Sequence, residues 1–356
     1  MMLRFLSIFA IYGLLISTTK AEIGCRDENN KLVDWYYLYK LPETNSHDPE
    51  SGLYYSFITS DNADNPEWKR SKHNVNQPKS VPGRTLEPIL KDAGKQLLSV
   101  LYNDEPPTGK TDGYRGHTKG VVATDGITGF WLVHSVPKYP PALGEAYQYP
   151  HTGRMYGQSF LCITFNASEM NPIGMQLNKN EPHVYSSGVP NGLKAQFPDL
   201  VEAISMKNST EAPHWSHAKL ISRNGVVFRS FAKDRNFRKE LYADFIAPTL
   251  QVALFVESWQ HGTGNLPSNC NIPELAVLNV KSVKVGDAEF TTLKDHSKWA
   301  VTGPGDSSFW ICVGDINRQE HQKLRGGGSV CTESTRLSSV YFRSVVNVEE
   351  CPLVRN

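Results

Sequence analysis

The sequence lacks the features that mark several classes of protein. Beyond the first 21 residues it has no run of about 18 consecutive apolar residues, the length typical of a transmembrane helix. It has no low-complexity segment and no long run of like charge, so the composition predicts an ordinary globular chain. None of its six cysteines lies in a Cys-x-x-Cys pair, which argues against a zinc site.

The N-terminus carries a secretory pattern. Arg4 precedes an apolar run from Phe5 to Ile16, and residues 19–21 supply small side chains for signal peptidase. We therefore predict a signal peptide at residues 1–21, a mature chain beginning near Glu22, and disulfides rather than free thiols. The same compartment suits two Asn-x-Ser/Thr acceptor sites, which predict glycosylation at Asn166 and Asn208.

The sequence has almost no net charge, because its basic and acidic side chains nearly balance. Residues 1–21 carry two basic side chains and no acidic one, so the mature chain has 35 basic against 36 acidic residues. All 11 histidines lie in the mature chain, and their full protonation would change its net charge from −1 to +10. Because histidine titrates between about pH 5 and 8, this composition permits binding of a polyanion in an acidic organelle.

One extended pattern occurs twice. His117-Thr118-Lys119 is followed, after ten residues, by Phe130-Trp131, and His296-Ser297-Lys298 is followed in the same way by Phe309-Trp310. The offset of 179 residues predicts two halves with a common plan. Two other His-x-Lys triplets lack the aromatic pair and are interpreted as structural, at His217 and His321.

The local structure around the two copies is also expected to repeat. Gly120–Ala123 and Phe130–Val133 are typical of short buried strands, and Trp310–Val313 is the returning strand of the second copy. Helical patterns precede them, with Thr85 as the expected cap in the first half and a helix expected over Phe237–Ile246 in the second. These signals predict a mixed α/β fold, with its two halves at residues 22–199 and 200–356.

Two histidines and two lysines in one site suit phosphodiester cleavage. One imidazole would attack phosphorus, and the other, protonated, would donate to the leaving oxygen and then activate water. The lysines would balance charge on the non-bridging oxygens. Because residues i and i+2 of a strand face one side, His117 and Lys119 should reach one phosphate together, as should His296 and Lys298.

Three residues after the returning strands are supporting candidates: His134, Asp315 and Asn317. Each could orient a histidine or donate to phosphate, and a plain strand end is an equally supported interpretation. The segment His214–His217 has the spacing of a metal pair, but no cysteine or carboxylate is near in sequence, so a surface segment is favoured. Arg325–Gly328 is predicted to be a loop, with a phosphate contact as the less favoured alternative.

Eleven segments spread along the mature chain carry a family resemblance. They include Leu101–Asp104, Arg115–Gly120, Gly129–Pro137, Leu266–Cys270, Asp295–Trp299, Cys312–Asp315 and Arg325–Gly328. In these segments the sequence resembles deoxyribonuclease II, the acid DNase of lysosomes. That family is similar to the phospholipase D superfamily, whose active sites combine two His-x-Lys motifs.

The resemblance implies a phospholipase D-like pseudo-dimer in which two sheet-and-helix halves share one active site. It implies an acid endodeoxyribonuclease that needs no metal or other cofactor and forms a phosphohistidine. The expected substrate is double-stranded DNA with little sequence specificity, cut to 3′-phosphate and 5′-hydroxyl ends. The expected location is the lysosome, with secretion also open, and the expected role is degradation of DNA from dying cells.

The resemblance also assigns individual residues. His117, Lys119, His296 and Lys298 become catalytic, with His296 treated as the catalytic histidine and His117 as its partner. The disulfides implied are Cys25–Cys162, Cys270–Cys351 and Cys312–Cys331. The superfamily's acid after each motif lysine would fall at Thr124 and Gly303. An orienting acid is therefore missing or comes from elsewhere.

Two alternative functions stay open at this point. The first is a catalytically weak DNA-binding relative, against which the presence of all four motif residues argues. The second is a phospholipase D-like lipid phosphodiesterase, which would need an apolar substrate channel.

Overall fold

A computed structural model describes residues 22–45 and 47–351, so the predicted signal peptide lies outside the described residues. Two large sheets, of eight and nine strands, dominate this part of the chain. The helices described here are all too short or too polar to cross a membrane.

The first sheet is built from residues 35–188. Its strands are β1 (Trp35–Lys40), β2 (Tyr55–Thr59), β3 (Lys69–Arg70), β4 (Leu98–Asn103), β5 (Lys119–Thr124), β6 (Thr128–His134), β7 (Gln158–Asn166) and β8 (Val184–Gly188). Their spatial order is β3-β2-β1-β7-β6-β5-β4-β8. The strands β1, β2, β4, β5 and β6 are buried along their whole length, as expected for apolar runs in a sheet covered on both faces.

The second sheet is built from residues 215–348. Its strands are β9 (Trp215–Ile221), β10 (Val227–Lys233), β11 (Leu254–Glu257), β12 (Val277–Val285), β13 (Ala288–Thr291), β14 (Trp299–Val301), β15 (Trp310–Gly314), β16 (Gly327–Glu333) and β17 (Val345–Val348). Their order is β13-β12-β11-β14-β15-β16-β10-β9, with β17 paired to β12. The run β4-β5-β6-β7-β1-β2 of the first sheet therefore matches β11-β14-β15-β16-β10-β9 of the second.

The two matching hairpins differ by one residue. Gly120 pairs with Val133 in the first, whereas Trp299 pairs with Val313 in the second, which adds one residue to the second turn. The repeated Phe-Trp pairs are consequently one residue out of register. Trp131 packs in the core between the sheets, while the side chain of Trp310 faces the outer core of the second sheet.

Six α-helices lie in the described part of the chain. They are α1 (Val81–Asp92), α2 (Met170–Asn180), α3 (Asn191–Lys194), α4 (Pro198–Ile204), α5 (Ala247–Leu250) and α6 (Thr335–Ser344). The prediction of Thr85 as a cap was wrong. Ser80 caps α1 by accepting the Gly83 N–H at 3.1 Å, and Pro82 in the first turn favours this earlier start, while Thr85 donates to Val81 within the helix.

The core explains how the halves are joined. A central apolar cluster lies between the two sheets and draws on both of them, together with α2, α4 and α6. A second cluster lies on the outer face of the first sheet under α1, and a third lies on the outer face of the second sheet. The predicted boundary between residues 199 and 200 falls inside α4. The disulfides join Cys25 to Cys162, Cys270 to Cys351 and Cys312 to Cys331, the pairing that the resemblance implied.

Candidate active site

The two His-x-Lys motifs lie at matching ends of matching strands. Lys119 is the first residue of β5 and Lys298 immediately precedes β14. The prediction that each His-Lys pair lies on a strand was wrong for both histidines. Their backbone N–H groups bond to the other half, His117 to the Gly326 carbonyl and His296 to the Gly157 carbonyl, both at 2.9 Å. The strand ladders consequently begin only beyond the histidines.

Each motif histidine is oriented by a carbonyl of the opposite half. Nδ1 of His117 contacts the Asp315 carbonyl, and Nδ1 of His296 lies 3.0 Å from the Ser135 carbonyl. Because a carbonyl can only accept a hydrogen bond, the Asp315 contact requires a proton on Nδ1 of His117. The Ser135 contact requires the same of His296, and the neighbouring Lys298 then donates to the His296 carbonyl and not to Nδ1. Nε2 of each ring is left for chemistry. Main-chain carbonyls therefore occupy the orienting role for which the sequence offered no acid.

The two motif lysines have different partners. Lys119 forms a buried ion pair with Asp104, whose other oxygen accepts from Arg325 at 2.9 Å. Lys298 lies 3.0 Å from Nδ1 of His296 and donates to the carbonyl of the same residue at 2.7 Å. Burial, followed by the charge of Lys119, lowers the pKa of Lys298 to about 7. The site thus combines one ion-paired lysine with one that titrates near neutral pH.

Electrostatics tie the four motif side chains into one group. Burial lowers the pKa of His117 well below its ordinary value, and the positive charges of both motif lysines lower it further. Burial likewise lowers the pKa of His296, followed by Lys298, Lys119 and His117. Each histidine therefore responds to the lysine of the other half. Both imidazoles are neutral under conditions in which a free histidine is already partly charged.

Asp315 contributes both its main chain and its side chain. Its carbonyl holds His117, and its carboxylate accepts the Gly328 N–H at 2.9 Å. Burial raises the pKa of this carboxyl to about 7, against the lowering effect of that hydrogen bond and of Lys119. Of the three supporting candidates, Asp315 therefore lies beside the motif residues.

The other two supporting candidates are less direct. His134 is buried against Tyr139 and Phe160, and its Nδ1 accepts the Val136 N–H at 3.2 Å. Burial and the charge of Lys119 lower its pKa. The Asn317 amide donates to Gln319 at 3.5 Å. Neither His134 nor Asn317 has a hydrogen bond to a motif residue among the described side chains.

The remaining candidate histidines lie elsewhere. The ring of His217 stacks on Phe231 at 4.4 Å in the second sheet, and His321 contacts Gln322. His214 pairs with Asp234 at 3.2 Å. Across residues 22–45 and 47–351, no three His, Cys, Asp or Glu side chains are grouped as metal ligands.

Sequence reasoning missed the role of Arg325–Gly328. Instead of a free loop, this segment leads directly into β16, and its carbonyl at Gly326 holds His117. The Arg325 guanidinium donates to Asp104 and to the carbonyls of Arg115 and Asp112. A glycine-rich stretch signals conformational freedom, whereas here it lets the main chain approach the partner half closely. An added Cβ at Gly326 would lie 2.3 Å from the Asn180 carbonyl oxygen.

Comparison with known proteins identifies the family. The sequence model described as Deoxyribonuclease II matches residues 24–351. This chain belongs to the deoxyribonuclease II family. The predicted resemblance is confirmed, and membership of the deoxyribonuclease II family makes the chain a nuclease, a hydrolase with DNA as its substrate.

Individual relatives of the deoxyribonuclease II family match nearly end to end. Plancitoxin-1 of Acanthaster planci is 38% identical over 98% of each chain. Deoxyribonuclease-2-beta of Homo sapiens is 35% identical over 98% of this chain and 96% of its own. Deoxyribonuclease-2-alpha of Bos taurus is 36% identical over 87% and 86%. Among solved structures, yeast tyrosyl-DNA phosphodiesterase aligns with 64% of this chain and 68% of its own, at 10% identity and a TM-score of 0.28.

Proposed function

We propose that this chain is a metal-independent acid endonuclease that cuts double-stranded DNA to 3′-phosphate and 5′-hydroxyl ends. The observation that carries the proposal is that a main-chain carbonyl of each half contacts Nδ1 of the motif histidine of the other half. This arrangement leaves Nε2 of each histidine for chemistry. Lys119, Lys298 and Arg325 lie around them and offer the positive charge that a phosphodiester transition state requires.

The proposed reaction has two steps. Nε2 of His296 attacks phosphorus and forms a P–N bond while the P–O5′ bond breaks, and O5′ takes the proton from Nε2 of His117. Water then attacks the phosphohistidine and gives a proton to His117, and cleavage of the P–N bond releases a 3′-phosphate. Both histidines return to their starting states.

This mechanism accounts for activity in acid. His117 must carry a second proton to act as the acid, but burial and the neighbouring lysines lower its pKa. A lower pH supplies that proton, and the negative charge of a bound phosphodiester favours it further. We therefore expect cleavage to increase as pH falls below the ordinary histidine pKa of about 6.5.

The test uses the purified mature chain and supercoiled plasmid at about pH 5 in EDTA. Wild type should nick the plasmid and leave 5′ ends that polynucleotide kinase labels without prior phosphatase treatment. His296→Ala should lose activity, whereas His217→Ala, which removes a partly exposed histidine far from the motifs, should keep it. Cleavage only after addition of a divalent metal would contradict the proposal.

The nucleophile can be assigned by trapping. Reaction at acid pH followed by an alkaline quench should preserve a phosphohistidine, and peptide mass spectrometry should find a DNA-derived phosphoryl adduct on His296. An adduct on His117 would reverse the two roles. A burst of product with no adduct on either histidine would exclude the covalent route.

We also propose a lysosomal enzyme that reaches its compartment through the secretory pathway and degrades DNA from dying cells. The exposure of Asn166 at the end of β7 and of Asn208 supports glycosylation at both positions. Expression in animal cells should give a mature N-terminus near Glu22, a mass shift on glycosidase treatment, and co-localisation with lysosomal markers. A cytosolic, unglycosylated product would contradict this location.

A further inference from the structure

An aromatic group lies beside His296. The indole ring of Trp259 is centred 5.0 Å from the His296 imidazole, 4.7 Å from the Tyr156 ring and 5.2 Å from the His261 ring. All three neighbours meet the indole at steep angles of 62° to 86°. Trp259 and Tyr156 are partly exposed, and His261 is exposed. No described aromatic ring stacks parallel on the indole.

The matching place in the other half holds an ion pair. Asp104 lies two residues beyond the β4 residue that pairs with Gly120, and Trp259 lies two residues beyond the β11 residue that pairs with Trp299. Gly120 and Trp299 each directly follow a motif lysine, so Asp104 and Trp259 occupy equivalent positions.

The partners of these two residues are equivalent as well. Arg325 immediately precedes the glycine whose carbonyl holds His117, and Tyr156 immediately precedes the glycine whose carbonyl holds His296. The Asp104–Arg325 ion pair on one side of the site is thus replaced by the Trp259–Tyr156 aromatic pair on the other. One side of the site is charged and the opposite side offers π-surfaces.

We propose that Trp259, together with Tyr156 and His261, forms a subsite for the aromatic face of a nucleobase next to the scissile phosphodiester. This inference rests on the proposed function, because it adds a base contact to the same phosphate site. A phosphate can accept only from the N–H at the edge of an indole, whereas every base has a π-face that can stack on the face of the ring. The subsite would be indifferent to base identity and would favour a base that has left its own stack, as in single-stranded DNA.

The experiment measures energetic coupling between Trp259 and one base. The substrate is a short single-stranded oligonucleotide with a single cleavable phosphodiester among methylphosphonate linkages. It is prepared intact and with an abasic residue directly 5′ or directly 3′ of the cleavable bond. Cleavage is followed in EDTA at about pH 5 for wild type, Trp259→Ala, Trp259→Phe and Trp215→Ala. Trp215 is 44% exposed and packs on Phe245, remote in the fold, which makes it the matched control.

Coupling at one flanking position is the expected result. For wild type, one of the two abasic substrates should show a kcat/KM roughly 5- to 100-fold lower than that of the intact substrate. Trp259→Ala should lose a similar factor on the intact substrate and no longer respond to removal of that base. Trp259→Phe should keep most of the response, and Trp215→Ala should behave as wild type.

Other results are equally informative. If Trp259→Ala slows all three substrates by one common factor, the indole only positions His296 and the base subsite is overturned. An unchanged rate for Trp259→Ala would overturn it too. Supercoiled plasmid is assayed first under the same conditions, and only absence of plasmid cleavage by wild type in EDTA would contradict the proposed metal-free activity. If wild type cuts the plasmid but not the intact oligonucleotide, the preference for an unstacked base is overturned while the proposed function stands.

Discussion

At the residue scale, Lys298 and Asp315 are the groups whose charge changes near neutral pH, the range in which an acid enzyme would lose activity. Their pKa values, one lowered and one raised, both lie at about 7. As pH rises through this value, Lys298 loses its positive charge and Asp315 gains a negative one. Both changes weaken the attraction for a phosphodiester. The loss of activity that we expect above neutral pH would therefore have two contributions beyond the loss of a proton from His117.

Asp315→Asn separates these contributions. The amide oxygen can still accept the Gly328 N–H, but the side chain cannot ionise. At an effective dielectric constant of 20, two like unit charges about 10 Å apart repel each other by about 1–2 kcal/mol, so a repulsion of this size would let kcat/KM of the variant at pH 8 exceed wild type by roughly 5- to 30-fold. The two proteins should agree at pH 5. Exposed Asp287→Asn is the control, and identical pH profiles for Asp315→Asn and wild type would contradict this role.

Glu257 is a buried carboxyl without any hydrogen-bond partner for either oxygen among the described residues. Burial, followed by the charge of Asp295, raises its pKa well above the ordinary value. The folded chain therefore binds this proton more tightly than the unfolded chain. The resulting contribution to the free energy of unfolding is fully present in acid and is lost as pH rises through the folded-state pKa.

Glu257→Gln should remove this pH-dependent contribution. The variant should be more stable than wild type by about 1–3 kcal/mol at about pH 8, and nearly equal to it at about pH 4, where the wild-type carboxyl is protonated. Urea unfolding at both pH values measures the difference. Glu289→Gln, an exposed change on β13, should have little effect at either pH. Equal destabilisation by Glu257→Gln at both pH values would show that the charged form is accommodated.

At the element scale, a buried lysine closes each of the equivalent strands β1 and β10. Lys40 donates to the carbonyls of Arg154 and Tyr156, and Lys233 donates to those of Gln322 and Arg325. The carbonyl of the next residue, Gly157 or Gly326, holds the N–H of a motif histidine. Each lysine is therefore linked to one motif histidine through a single short segment of main chain.

Replacing these lysines by methionine should displace the histidines without removing them. We expect Lys40→Met and Lys233→Met to lower kcat by roughly 10- to 100-fold with a smaller change in KM, because misplacement by about 1 Å has effects of this size. Lys219→Met on β9, an exposed position, is the control. Cooperative thermal unfolding of each variant must first show that it is folded. A folded variant with wild-type kcat would contradict the link.

The same element-scale view shows what the sequence could predict. Apolar runs correctly located β5, β6 and β15, because a strand buried on both faces leaves a continuous apolar signature. The segment Phe237–Ile246 was expected to be one helix but contains a π-helical turn at Tyr242–Ile246 after a short 3₁₀ turn. The repeated Phe-Trp pair correctly indicated the duplication. It did not predict equivalent side-chain positions, because its two copies differ by one residue in strand register.

Other parts of the site had no sequence signal. The motif gave the residue types of the four catalytic candidates, but their orientation comes from main-chain carbonyls, and a carbonyl can be supplied by any residue. The sequence also offered no sign that Asp104 and Trp259 occupy equivalent positions in the two halves. Only the strand register relates two residues of such different chemistry. Nothing in the neighbouring sequence marks Lys40 or Lys233 as buried, and their carbonyl partners lie 89 to 116 positions away.

At the scale of the whole molecule, the two halves depend on each other for both core and chemistry. The central apolar cluster contains Trp131 from the first sheet and Trp299 from the second, and helices from both halves complete it. Separation of the halves would expose that cluster to water, at about 25 cal/mol for each Å² uncovered. It would also remove from each motif histidine the carbonyl that orients it.

Separate expression of residues 22–199 and 200–356 tests this dependence. Because each half leaves one face of its sheet uncovered, we expect neither to unfold cooperatively and each to bind a hydrophobic dye. Neither should cleave DNA, since each holds only one His-Lys pair. Co-expression should restore a one-to-one complex with cooperative unfolding and plasmid cleavage, because the disulfides all lie within one half or the other. Cooperative unfolding of residues 22–199 alone would show that the first sheet is stable without its partner, and that the shared core serves the site and not the fold.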